Sequence, residues 1–140
     1  MSPNANLNEL IGQYILVHPE LQYDPASKQN WPGMIWSVDI ERDDFVISFH
    51  DNTRGLYSAD TLLILKPVDE IYQLLADHGH MLAAPDLKTL TQINLFLQYG
   101  IGDKEWKALE LAASNPNIQE LSLDLLKDRL ALQQSPSLKR

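Results

Sequence analysis

The chain has no cysteine among its 140 residues. Disulfides and thiolate metal sites are therefore excluded, although the lack of Cys proves no compartment. Basic residues are scarce too: 11 Lys and Arg stand against 19 Asp and Glu, a net charge of −8. Affinity for duplex nucleic acid comes chiefly from Lys and Arg that neutralise phosphates, so this balance argues against a duplex-binding protein. The acidic excess is spread over both halves, −5 from Met1 to Pro67 and −3 from Val68 to Arg140, and the only basic cluster is Lys139-Arg140. No apolar run approaches the ~20 residues of a membrane span. Met1-Ser2-Pro3-Asn4-Ala5-Asn6 also lacks the basic and apolar regions of a signal peptide. The expectation is a cytoplasmic protein with no membrane association.

Catalytic fingerprints are missing as well. There is no Gly-x-Ser-x-Gly, no phosphate loop and no dinucleotide fingerprint, and Gly100-Ile101-Gly102 reads as a turn between helices. His78 and His80 flank Gly79, while His18 and His50 lie in the first half, and no carboxylate-histidine pattern at helical spacing accompanies them. Glu41, Asp43 and Asp44 fall in a predicted hairpin turn, where solvation accounts for them. No cofactor, no metal and no enzymatic activity are expected.

What the chain does contain is a change of period near Pro67. Before it, short β-branched and aromatic runs are separated by turn residues: Tyr14 to Val17, Met34 to Asp39, Phe45 to His50, Gly55 to Ser58 and Leu62 to Leu65. Five such strands fit a small antiparallel barrel. His18 to Asn30 is the longest loop of this half, and long loops on a rigid scaffold are where binding usually resides. Met34, Trp36 and Val38 alternate along one predicted strand face, which places Trp36 in the core.

After Pro67 the apolar spacing becomes helical. One helix runs from Val68 to His78-Gly79, and a second is capped by Asp86 and ends at Tyr99-Gly100. A third begins at Asp103 and stops at Asn115-Pro116, and a fourth is capped by Asn117 and runs through Leu125 and Leu130. Everything beyond Pro67 is expected to be helical, with Leu90, Phe96, Trp106 and Leu125 buried.

Gly12-Gln13-Tyr14-Ile15-Leu16-Val17, Trp31-Pro32-Gly33-Met34-Ile35, Val46-Ile47-Ser48-Phe49-His50-Asp51 and Tyr57-Ser58-Ala59-Asp60-Thr61-Leu62-Leu63 form an ordered set of motifs. Over Gly12 to Pro67 this set resembles the PWWP domain and its Tudor-type relatives. The resemblance implies an SH3-like five-stranded barrel followed by helices, with an aromatic cage for methylated lysine or arginine. It places Trp31 at a cage wall, and Phe49 and Asp51 at the aromatic and acidic positions ending the third strand. Asn30 stands where the family has its first motif tryptophan, and Ser48 and Leu16 occupy positions that are often aromatic.

The resulting expectation is an α+β protein. A five-stranded SH3-like barrel spans residues 1–67, and a three- to four-helix segment spans 68–140, packs on it and shares one continuous core. The leading function is non-catalytic binding of a protein or peptide by a barrel face edged by Trp31, Tyr23, Phe49, Asp51 and Tyr57. An acidic surface steers a basic partner to such a face. The alternative is a structural or assembly subunit whose helical half forms an oligomer interface.

Overall fold

Alternation of β-branched and aromatic residues sets the first half of the structure, a computed structural model that describes residues 9–24 and 26–131. Lys139-Arg140 and Met1 to Asn6 lie outside the described residues. The strands are β1 (Tyr14–Val17), β2 (Pro32–Asp39), β3 (Asp44–Ser48), β4 (Arg54–Tyr57) and β5 (Leu62–Leu65). Each coincides with an expected strand to within about two residues. Left-handed backbone at Asp43 and Asn52, φ 56° and 69°, turns the β2–β3 and β3–β4 hairpins. Both are residue types that tolerate that conformation.

The second half forms α1 (Val68–His78), α2 (Ala84–Tyr99), α3 (Lys104–Ala113) and α4 (Pro116–Ser122). It is not wholly helical. Leu123–Leu125 is a sixth strand, β6, after which residues 126–131 return to helix. The sheet is antiparallel and open, in the order β4-β3-β2-β1-β5-β6. Among the described residues the fold class is α+β, with six strands and about four helices, and the strand pairing shows no closed five-stranded barrel.

Two helix starts differ from expectation. Pro85 lies in the first turn of α2, where its fixed φ suits helix entry, so the helix begins at Ala84 and Asp86 falls inside it. Asn115 caps α4, its side chain accepting the Asn117 backbone N–H at 2.8 Å. Asp86 instead accepts the side-chain amide of Asn115 at 2.9 Å.

The chain forms two compact units, one built from the chain up to Ile64 together with the segment from Leu125 onward, the other from Leu65–Asp124. In the first, Ile15, Val17, Ile35, Phe45, Ile47 and Leu62 are fully buried, and Leu126 joins them from the far end of the chain. In the second, Ile71, Leu90, Ile93, Leu109 and Ile118 are fully buried and Trp106 nearly so. Phe96 and Leu125, expected inside, are half-buried. Lys66 donates to Asp124 at 2.6 Å within this unit. No helix among the described residues is long and apolar enough to cross a membrane.

Trp36 corrects the core assignment. It is 47% exposed, because Gly33 and Ile35 are the buried residues of β2 and alternation puts the next residue on the opposite face. Ile35 therefore points inward while Trp36 lies outside with the Arg54 guanidinium 4.0 Å from its ring centre.

Candidate functional site

Two glycines in the sheet make room for the aromatic rings at one end of the first unit. A Cβ at Gly33 would lie 2.5 Å from Ile47 Cγ2 and 3.0 Å from the Phe49 ring. A Cβ at Gly55 would lie 2.7 Å from the Tyr57 ring. Phe49 and Tyr57 thus settle against bare backbone, and both are buried. Their rings meet edge to face at 6.3 Å, and Phe49 meets Trp31 in the same way at 6.2 Å. Edge-to-face packing at this separation suits the ring quadrupoles. Trp31 ends the row, 41% exposed.

The loop between β1 and β2 carries the polar half of the site. Asp24 is buried, and its carboxylate accepts the Ala26 N–H at 2.9 Å, the Lys28 N–H at 2.9 Å and the Tyr57 hydroxyl at 2.8 Å. Burial, then the hydrogen bond to Asp24, pushes the Tyr57 phenol well above its ordinary range. The Trp31 N–H donates to the Lys28 carbonyl at 2.9 Å, which closes a turn. That turn lays the Lys28 ammonium 3.9 Å from the Trp31 ring centre and 5.9 Å from that of Phe49.

The same ammonium donates to Asp51 Oδ2 at 2.7 Å. Asp51 Oδ1 is held by the Thr53 backbone N–H at 3.1 Å and the Thr53 hydroxyl at 2.6 Å. The hydrogen bonds from Lys28 and then Thr53 hold the Asp51 carboxyl down at about 2. Trp31, Phe49 and Asp51 thus border a cup occupied by the Lys28 ammonium.

No protein-family model, curated protein or solved structure matches this chain. Of the five residues expected at it, the structure brings together Trp31, Phe49 and Tyr57 as a ring row, with Asp51 joined to Trp31 through Lys28. Tyr23 is 81% exposed and belongs to neither ring pair. Tyr57 lies behind Phe49 as support rather than at the surface.

Lys28 and Asp24 belong to the same cluster and were missed in the sequence. The available signal was local: an Asp followed by Pro in the sequence can bind backbone N–H groups a few residues on through its side chain, and Lys28 precedes Trp31 by three positions. A concavity of about 350 Å³ in the same unit lies elsewhere, with Asp43, Asp60 and Lys127 around an apolar floor of Phe45, Ala59 and Leu130. Among the described residues, no group of three or more His, Asp or Glu is gathered as a metal site.

Proposed function

We propose that the first unit is a non-catalytic recognition module. It holds a positively charged side chain of a protein or peptide partner between the Trp31 ring and the Asp51 carboxylate. The observation that carries this reading is that an ammonium already rests there, 3.9 Å from the indole centre and 2.7 Å from the carboxylate oxygen. An indole face is the strongest of the aromatic cation acceptors, worth about 0.5–2 kcal/mol as desolvation increases. The net charge of −8 favours encounter with basic partners. The motif resemblance over Gly12 to Pro67 supports the same reading, with the strands up to β5 taken as an SH3-like, PWWP- or Tudor-type module working in the cytoplasm.

Titration of a short labelled oligolysine peptide by fluorescence anisotropy tests the proposal. Trp31→Ala and Asp51→Asn are each expected to weaken binding about tenfold. Equal affinity for all three proteins would mean that the acidic surface holds the peptide diffusely, and would end the proposal.

A second reading, as an assembly subunit, is favoured by apolar exposure on the helical unit. Leu95, Tyr99 and Ile101 are 49%, 75% and 89% exposed. Light scattering that shows mass rising with concentration, and falling back for Tyr99→Lys, is the result this reading expects.

A further inference from the structure

We infer that Lys28 is an internal stand-in for the partner's side chain, and that the cup selects an ammonium that still carries an N–H over a quaternary one. This rests on the recognition reading above. The backbone around Lys28 is fixed at both its polar groups, its N–H by Asp24 at 2.9 Å and its carbonyl by Trp31 at 2.9 Å. Exchange of cations therefore needs no loop opening. The flexible four-carbon stem of Lys28 rotates out while the indole and carboxylate stay in place.

The selectivity follows from Asp51. Thr53 occupies Oδ1 twice, at 3.1 and 2.6 Å, and so aims Oδ2 into the cup, where its partner sits at 2.7 Å. That distance is a charge-assisted N–H···O bond. A trimethylammonium has no N–H, and its methyl groups hold the nitrogen further from both the oxygen and the ring. Only Trp31 and Phe49 offer ring contact, at 3.9 and 5.9 Å, so hydrogen bonding to Asp51 carries much of the discrimination. An internal occupant lowers apparent affinity by the fraction of time the cup is open.

The experiment uses the full chain and two probes, Nα-acetyl-lysine methylamide and its ε-trimethyl form, followed by NMR at the Trp31 indole N–H. Lys28→Met is expected to bind the unmodified probe about tenfold more tightly than the parent protein does. The trimethyl probe is expected to bind the variant several-fold more weakly than the unmodified one. A variant no tighter than the parent overturns the stand-in role and leaves recognition standing, whereas tighter binding of the trimethyl probe overturns the selectivity. Neither probe moving the indole in either protein removes the recognition reading itself.

A measurement on the parent protein needs no folded variant. The Lys28 ε-methylene is bonded to the nitrogen that lies 3.9 Å from the indole centre, so ring current should shift its protons upfield, and added lysine probe should return them toward free values. Should the Trp31 signal move while the Lys28 protons stay shifted, the stand-in role is overturned.

Discussion

Replacing Asp24 by Ala is expected to be the most damaging single change at the site, although the residue never touches the bound cation. Its carboxylate accepts three hydrogen bonds, from Ala26 and Lys28 backbone N–H and from the Tyr57 hydroxyl, all between 2.8 and 2.9 Å. The two loop amides can turn to water once the carboxylate is gone, at a modest net cost of about 0.5–1.5 kcal/mol each. The Tyr57 hydroxyl has less recourse, because the residue is only 5% exposed. Leaving it without an acceptor adds about 1–3 kcal/mol. The expected sum is about 2–6 kcal/mol, which in a unit of this size lowers the melting temperature by about 8–48 °C. Urea unfolding of Asp24→Ala, Tyr57→Phe and the double variant completes a thermodynamic cycle. If the orphaned hydroxyl is the main cost, the double variant should be more stable than Asp24→Ala by about 1 kcal/mol. Strict additivity of the two losses, or an Asp24→Ala loss below about 1 kcal/mol, would refute the reasoning.

Three further outcomes are expected. Gly33→Ala should cost about 1–3 kcal/mol by overpacking against Ile47 and Phe49, and should spread the Trp31–Phe49 ring pair; chemical denaturation and the Trp31 indole shift check both effects. The Asp51 carboxyl is held at about 2, below the ordinary carboxylate value, so the Lys28–Asp51 contact should persist from neutral pH down past about 4 and be lost only as pH falls toward about 2. An NMR titration of the Lys28 ε-methylene protons that breaks near pH 4 would contradict it. Trp36→Ala should cost about 1 kcal/mol in urea unfolding, as befits a half-exposed ring over Arg54, rather than the ~3–5 kcal/mol of a buried aromatic truncation.

The five strands before Pro67 were legible because β-branched and aromatic runs broken by Asn, Asp and Gly leave few other conformations open to them. Helix ends were legible where Gly or Pro forced them, as at Tyr99-Gly100 and Asn115-Pro116. Strand β6 was not, because Leu121, Leu123 and Leu125 satisfy both a period of two and the four-residue helical spacing. The pairing that decides between them involves residues far apart in the chain, as in the Lys66 N–H bond to the Ser122 carbonyl at 2.9 Å. Trp36 was misread for a related reason: the alternation of one strand gives two faces, and only its packing shows that the face of Gly33 and Ile35 turns inward. At the site, Trp31, Phe49 and Asp51 could be named from motif positions. Lys28 could not, since its role depends on a turn pinned by a buried Asp24 and on a hairpin tip that brings Asp51 to it from 23 positions away.

The return of the chain at Leu125 has a consequence for biosynthesis. The sheet unit is interrupted in sequence by the helical one, and Leu126, a fully buried member of its core, is made about 60 residues after the strands it packs with. At synthesis rates of about 5–20 residues per second, the nascent strands wait roughly 3–12 s for that side chain. During this interval their core lacks Leu126, and the helical unit receives its last residue, Asp124, two positions before that side chain. The order of completion is therefore the reverse of the order in which the two units begin to emerge. The core of the sheet unit is closed only when residues 126–131 appear.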